Sequence, residues 1–409
     1  MSEIAKDQGA VGDWISEKIF MGMSLSAYFR KLITPFNVIA LLILAVGIPL
    51  IVQRYIHGLG YVTHGSQNQP FSLFLGWGLF TGVPLAATGF IMASAVYLFG
   101  MKEYKSLVRP AVLTGFVGYF FAVTFLLIDL GRPWRLPYPM VHSFGPGSVL
   151  FLVAWHVALY LSVQFLEFSP AILEWLEAKR IRKWALAITI GATIFGVILS
   201  TLHQSALGAL FLLAPGKLHP LWYSPYIPVL FFVSAIYAGL SMVIIESTLV
   251  YRFMKDKVDP KNFKTIDDLT IGLGKAASLV LITYFCLKLI GVAHGNHWHL
   301  LNSSWGFWFL LEIFGFVLVP CFFFIAGVRK RNVALVKFTA FIAVFGIVFN
   351  RIMVSLVASS WSLQHAEFLH GKELLVVVTV VTVEILAYRW IVNRMPVHRE
   401  HPAFPGGGH

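Results

Sequence analysis

The sequence predicts an all-α, polytopic membrane protein, and three observations support this. Of the 409 residues, 58% are hydrophobic and 12% are charged, whereas an average soluble domain has about 25% charged residues. The apolar residues form ten runs, each close to the roughly 20 residues that cross a bilayer as a helix. Lys and Arg cluster between these runs, mostly on one side. The composition excludes a soluble enzyme, a disordered chain and a repeat solenoid.

The first segment, 1–35, precedes the apolar runs. Apolar residues such as Trp14 and Phe20 alternate there with Lys18 and Arg30. This pattern is typical of an amphipathic helix that lies in the membrane interface. A loosely ordered tail is the alternative interpretation.

Ten candidate spans follow and together form a membrane domain over 36–393. They are 36–54, 73–99, 110–128, 147–168, 184–203, 226–251, 269–293, 305–327, 334–357 and 373–393. Gly and Pro interrupt several of them, which packed membrane helices tolerate. Residues 394–409 are predicted to form a short tail.

The basic residues predict the orientation. When the connections are assigned alternately to two sides, the outer side holds only Arg54, Arg132, Arg135, Lys217 and Lys372. Since Lys and Arg favour the cytoplasmic side, both termini are predicted to be cytoplasmic. The net charge of +12 is then a topology signal beside anionic lipid, and no nucleic-acid partner is expected.

The sequence offers few ligands for a metal or a redox cofactor. The two cysteines, Cys286 and Cys321, lie in separate apolar runs and form no CxxC pair, so neither an iron–sulfur cluster nor a cysteine-based zinc site is expected. Only His156 lies well inside a span, and His203 lies at another depth. Intramembrane haem with two axial histidines is therefore not expected, and no metal site is predicted.

Five ionisable residues from five helices are predicted to share the outer third of the membrane. Asp129 is placed at the outer end of the third helix and His203 at the outer end of the fifth. The other three are Lys288, Glu312 and Arg351. A charge in hydrocarbon needs a partner or a function, so this convergence predicts a buried polar pocket. Stabilising ion pairs of Glu312 with Lys288 or Arg351 are the alternative.

A second set of polar residues lies deeper. His156, Tyr160 and Gln164 share one face of the fourth helix. Glu246 lies near the inner end of the sixth helix, and Glu384 near the middle of the tenth. These residues are candidates for a proton path from the cytoplasm. Hydrogen bonding between helices is the alternative, and it is favoured for Glu384 taken alone.

Three strings in order carry a resemblance to a known family. They are LIDLGRPW at 127–134, TLHQSALG at 201–208 and LHPLW at 218–222. They resemble the polysulfide reductase/NrfD-like membrane subunits. The likeness is strongest to the membrane subunits of hydrogenase-2-type and menaquinone reductase complexes, and it covers helices two to ten.

The resemblance implies a haem-free quinone module that is one subunit of a multi-subunit quinone oxidoreductase. It implies two four-helix bundles, 73–203 and 226–357, flanked by helices 36–54 and 373–393. Menaquinone or menaquinol would bind near the periplasmic face of the bacterial cytoplasmic membrane. A periplasmic ferredoxin-like iron–sulfur subunit would be the electron partner, with further catalytic or multihaem cytochrome subunits.

Within this resemblance the site residues take roles. His203 and Asp129 are predicted to contact the quinone head group, with Gln204 beside them. Arg132 would hold Asp129 ionised, and Trp134 would form one wall of the quinone pocket. The predicted proton path uses His156, Tyr160, Glu246 and Glu384.

One position departs from the family. Hydrogenase-type subunits carry a glutamate thought to transfer protons where this sequence has Leu152. His156, one helical turn later on the same face, is the nearest substitute. Either the path runs through His156 or this subunit transfers protons differently, which favours a sibling complex over a hydrogenase.

Two other functions stay open at this stage. A secondary transporter would also bury charges among its helices. A purely structural anchor would tether a periplasmic redox enzyme without reacting with quinone. The direction of the quinone reaction and the identity of the electron donor are not encoded in these residues.

Overall fold

The computed structural model describes residues 13–63, 65, 69, 71–363 and 370–404. Within these ranges the chain is helical and contains no strand. Residues 1–12 of the predicted N-terminal segment and 405–409 of the predicted tail lie outside the described residues.

Ten helices in the described ranges are long and apolar enough to cross a membrane, which confirms the predicted fold class. They are α1 Pro35–His57, α2 Leu75–Leu98, α3 Lys102–Asp129, α4 Val149–Trp175, α5 Lys179–Leu213, α6 Ile227–Phe253, α7 Ile266–His294, α8 Ser304–Arg329, α9 Val333–Ser360 and α10 Gly371–Arg394. An even number of crossings brings the described segments 13–34 and 395–404 to one face. We call this the terminal face, and the opposite one the distal face.

Local sequence signals fix several helix starts. Thr34 caps α1 by accepting a hydrogen bond from the Asn37 amide at 3.2 Å, and Pro35 takes the first helical position. Asn332 caps α9 in the same way, at 3.0 Å from the Leu335 amide. Polar caps of this kind satisfy amides that have no partner inside the helix.

Two predicted helix ends differ most from the structure. The third helix starts at Lys102 and continues through Pro110, where the predicted span begins. The fifth helix continues to Leu213, ten residues past its predicted end at His203. The apolar residues 206–213 extend the span beyond the usual length, so His203 lies inside the helix rather than at its distal end.

The helices pack as two rings of neighbours. In the first, α2 packs on α3, α3 on α4, α4 on α5 and α5 on α2; in the second, α6 to α9 follow the same order. Helices of the two rings also contact each other through α5 and α6, and through α2 and α9. α10 packs on α1 and α3. The division into two bundles stays a prediction, because the rings share these contacts.

The two terminal segments lie against the terminal face. Helix Leu25–Leu32 has no buried residue, and Phe29 is 58% exposed. Trp14 contacts Trp175 at the end of α4. Residues 395–398 are buried, so the start of the predicted C-terminal tail is part of the packed domain.

Candidate functional site

A buried histidine group lies among α3, α4 and α5. His203 on α5 is fully buried, and its Nδ1 lies 2.7 Å from the Leu199 carbonyl oxygen. A carbonyl can only accept, so Nδ1 carries the proton and, in a neutral ring, Nε2 accepts from the Tyr119 hydroxyl. The Tyr160 ring lies against both, with its centroid 4.7 Å from that of Tyr119.

Polar side chains continue from this group along α4. Gln164 Nε2 donates to the Tyr160 hydroxyl at 2.7 Å. Glu167, three residues further, accepts from Thr193 at 2.7 Å and is buried. The positions 160, 164 and 167 share one face and advance about 10 Å toward the terminal face. Sequence analysis missed Glu167, although its spacing from Gln164 is the signal that would have found it.

The file along α4 ends in an ion-pair triad at the terminal face. Glu174, 1% exposed, pairs with Arg109 at 2.7 Å and with Arg182 at 2.7 Å. We call the set from His203 through Tyr160 and Glu167 to Glu174 the α4 file.

Several polar atoms around His203 lack a hydrogen-bond partner within the described part of the chain. Ser200 Oγ, Gln164 Oε1 and Gln204 Oε1 are buried and form no hydrogen bond with the described residues. Gln204 Nε2 donates to the Val83 carbonyl at 3.1 Å and to Tyr119 at 3.3 Å. Buried polar atoms of this kind commonly bind ordered water or a polar ligand.

His156 and Leu152 lie one and two turns before Tyr160 on α4. Both are half-buried, and His156 Nδ1 forms no hydrogen bond with the described residues. His156 thus lies on the face of the file, as predicted from its spacing, but makes no hydrogen bond to it.

A second polar group lies at the distal face around Asp129. The Ser72 hydroxyl donates to Asp129, which is half-buried at the end of α3. Arg54 at the distal end of α1 is 2% exposed and donates to the carbonyl of Leu130. Glu373 at the start of α10 accepts from the Leu73 amide at 2.6 Å. We call Asp129, Ser72, Arg54 and Glu373 the distal group.

The distal group differs from its predicted form. Arg54, rather than Arg132, places a buried guanidinium next to Asp129. Arg132 is exposed, and Trp134 is 69% exposed in the loop that follows α3. The sequence predicts Arg54 only as the outer-side end of the span 36–54, because the contact between α1 and α3 cannot be seen from either helix alone.

The structure does not bring Asp129 and His203 together. His203 bonds to Tyr119, and Tyr119 precedes Asp129 by ten residues on α3. That separation is about 15 Å along the helix. One quinone ring is too small to contact both side chains, so the predicted pair divides into two separate groups.

Lys288, Glu312 and Arg351 do converge between α7, α8 and α9. Lys288 Nζ lies 2.9 Å from Glu312 Oε1. Asn350 donates to the same carboxylate at 2.7 Å and accepts from Arg351 at 2.6 Å. Trp222 Nε1 also donates to Glu312, at 2.7 Å. Each carboxylate oxygen has a partner, so this charge cluster has the geometry of the stabilising alternative.

The third family string covers this charge cluster. His219 packs among Trp222, Trp305 and Trp361, with ring centroids 5.1–5.6 Å away. Burial and the nearby His297 lower the pKa of His219 to about 4. The ring is therefore neutral near pH 7, as suits a histidine held between indoles.

Glu246 forms a third group near the terminal end of α6. Thr114 donates to its carboxylate at 2.8 Å and Tyr388 at 2.5 Å. His398 Nε2 lies 3.8 Å from the same carboxylate. Glu384 lies one turn from Tyr388 on α10 and faces Gly118, next to Tyr119. Glu246, Tyr388 and Glu384, which we call the α10 file, thus approach the level of the histidine group.

No group of three or more metal-ligating side chains occurs among the described residues. The fold and these three polar groups define a multi-pass membrane protein that keeps titratable side chains inside its helical domain. The chain belongs to the family described as polysulphide reductase, NrfD, which matches residues 62–360. The family resemblance drawn from the three strings is confirmed.

Relatives cover nearly the whole chain. A protein of Nitratidesulfovibrio vulgaris is 48% identical over 92% of this chain and 97% of its own length. The probable Ni/Fe-hydrogenase 2 b-type cytochrome subunit of Escherichia coli is 30% identical over 85% of this chain and 88% of its own. The menaquinone reductase integral membrane subunit of N. vulgaris is 24% identical over 76% and 80%.

Proposed function

We propose that this chain is the haem-free quinone-reactive subunit of a respiratory complex in the bacterial cytoplasmic membrane. It exchanges electrons between menaquinone or menaquinol near the distal, periplasmic face and a periplasmic ferredoxin-like iron–sulfur subunit. The reaction is coupled to proton transfer through the membrane domain. Membership of the family and the menaquinone reductase relative support this choice of cofactor.

The distal group is the observation that carries the proposal. Bound menaquinone supplies two-electron, two-proton chemistry, so its head group needs side chains that donate and accept protons. Asp129 provides a carboxylate, Ser72 a hydroxyl and Arg54 a fixed cation at one edge of the domain. Asp129 is only half-buried, so part of the residue remains accessible from outside the helical domain. Arg132 and Trp134 flank it in the following loop.

His203 and Gln204 take a different role from the predicted head-group contact. They lie about 15 Å deeper, beside Tyr119 and Tyr160, and all four side chains are buried. We assign them to proton transfer at the end of the α4 file that lies farthest from the terminal face. Mostly apolar residues of α3 lie between Tyr119 and Asp129 and separate the distal group from the two files. The roles of the distal group and of the files are therefore tested by different variants.

Two files supply titratable groups between the terminal face and the level of Tyr119. The α4 file offers Tyr160 and Glu167, with His156 on the same face in place of the family glutamate missing at Leu152. The α10 file offers Glu246 and Glu384. Glu384 accepts no hydrogen bond from the described residues, so bonding between helices does not explain its position. We therefore assign the α10 file to a second route for protons.

Surface residues support the proposed orientation and the proposed partner. The terminal face carries most Lys and Arg residues of the connections, which favours the cytoplasm. The distal loop 130–148 exposes Trp134, Val141 and Phe144 at 69%, 71% and 62%. Exposed apolar side chains concentrated in one loop favour a docking surface, and this loop lies on the side where the iron–sulfur subunit would bind.

The test uses the complex purified through a tag on this chain, with a soluble menaquinol analogue. Asp129→Asn is expected to lower turnover by about a hundredfold while the partner subunits still co-purify. Asp267→Asn, an exposed carboxylate on the terminal face, is the matched control.

The alternatives give other results. A structural anchor would assemble and react as the wild type after Asp129→Asn. A secondary transporter would show substrate-dependent uptake by the isolated chain and no quinone in the purified complex. Either outcome would overturn the proposal.

A further inference from the structure

The start of the C-terminal segment, 395–398, closes the terminal face of the domain. Its four residues are buried. Arg109 on α3 donates to the Pro396 carbonyl at 3.3 Å, and the Asp259 amide donates to the His398 carbonyl at 3.0 Å. The segment is therefore held from two sides, by α3 and by the connection between α6 and α7.

This packing sets His398 over Glu246. The His398 side chain is 4% exposed, and its Nε2 lies 3.8 Å from Glu246 Oε1. The same nitrogen is buried and forms no hydrogen bond with the described residues. A buried imidazole nitrogen without a partner is uncommon in proteins. Here it lies just beyond hydrogen-bond range of a carboxylate, so a small side-chain rotation would join them.

His398 also lines a cavity of about 350 Å³. Its wall includes His398 but not Glu246, and Val397 and Tyr97 provide part of the apolar lining. The charged groups that face it come from α3, the connection after α6 and the C-terminal segment: Lys105, Arg109, Asp259, Lys261, Arg399 and Glu400. A polar cavity of this size admits water, and His398 borders both this cavity and Glu246.

We infer that His398 passes protons between this cavity and Glu246, and so forms the entrance of the α10 file. This inference deepens the proposed function and rests on it for its physiological purpose. One ring nitrogen takes a proton from water in the cavity, and the other ring nitrogen gives its proton to the Glu246 carboxylate. The ring ends neutral with its proton on the opposite nitrogen, and it returns to its first form by reorienting. No electron is transferred.

The surroundings of His398 fit a relay better than a fixed ion pair. Burial lowers the pKa of His398 to about 4, so the resting ring is neutral near pH 7. A neutral imidazole has both a donor and an acceptor nitrogen, which a relay requires. Thr114 and Tyr388 already donate to Glu246, so the carboxylate is held in place independently of His398.

The experiment follows hydrogen–deuterium exchange of the protonated Glu246 carboxyl by infrared spectroscopy. The purified full-length complex is transferred into D2O, and the Glu246 band is assigned as the one lost in Glu246→Gln. In His398→Ala the exchange is expected to slow by about a hundredfold. Added imidazole, which the cavity can hold, is expected to restore the rate.

Two further variants control the result. His401→Ala changes a half-exposed histidine of the same segment and should exchange as the wild type. His398→Gln keeps a side chain of similar size in the packed segment and should be as slow as His398→Ala. Wild-type exchange in His398→Gln, or slow exchange in His398→Ala that imidazole does not restore, would overturn the inference.

The readout does not need quinone. A complex that shows His398-dependent exchange but no quinol oxidation would refute the proposed function and leave the proton entrance standing. A complex that oxidises quinol, but whose Glu246 exchange does not depend on His398, would support the proposed function and refute the proton entrance.

Discussion

Replacement of Lys288 by Met tests whether the charge cluster between α7, α8 and α9 stabilises the fold. The Lys288 and Glu312 side chains are 6% and 1% exposed, and their charged atoms lie 2.9 Å apart. Removing one partner of a buried ion pair costs about 3–5 kcal/mol. Glu312 keeps its hydrogen bonds from Trp222 and Asn350. We therefore expect the lower end, about 3 kcal/mol, which is about a hundredfold in the unfolding equilibrium constant.

The assay is equilibrium unfolding of the purified chain in mixed micelles with increasing sodium dodecyl sulfate, followed by tryptophan fluorescence. Lys337→Met is the matched control, because Lys337 pairs with Asp267 at 3.4 Å with side chains 30% and 63% exposed. A surface pair contributes about 0–1 kcal/mol. Equal losses of unfolding free energy in the two variants would refute the assignment of a stabilising role.

Three further predictions concern packing, pH and the α4 file. Gly208→Ala should lower the free energy of unfolding in the same assay by about 1–3 kcal/mol, because a Cβ there would lie 2.7 Å from the Ile227 carbonyl oxygen; Gly191→Ala, in open space, should not. The pKa of His398 is lowered from 6.5 to about 4 by burial, so the released segment binds a proton that the packed segment does not. Packing of 395–404 should thus be strongest above pH 6.5 and weaken as the pH falls toward 4, seen at pH 5 as lower amide protection relative to the intrinsic exchange rate, a loss that His398→Gln prevents. Glu167→Gln keeps an oxygen to accept from Thr193 but cannot carry a proton, so proton transfer into vesicles should slow while the complex still assembles; an unchanged rate would remove Glu167 from the path.

The number and order of the helices could be predicted because they depend on local apolarity. Local apolarity could not locate the true end of α5, because an apolar run does not show where a helix continues beyond the usual span length. His203 was therefore placed at the distal end, and its predicted pairing with Asp129 followed from that error. The depth argument did place Lys288, Glu312 and Arg351 near one another, although they meet in the arrangement of the ion-pair alternative.

Other site residues depend on contacts between distant parts of the chain. Arg54 meets the end of α3 across 76 residues, and His398 meets Glu246 across 152 residues. No spacing along the sequence encodes either contact. Glu167 differs, because its helical spacing from Tyr160 and Gln164 can be read from the sequence. Its burial against α5, where Thr193 donates to it, becomes visible only in the structure.

The most direct test of the central claim is a cryo-electron microscopy structure of the purified complex with menaquinone bound. The account predicts a head-group oxygen within about 3 Å of Asp129 or Ser72, beside Arg54 at the distal face. A ring bound at the Lys288–Glu312 cluster, or a saturated complex without quinone in this chain, would contradict it.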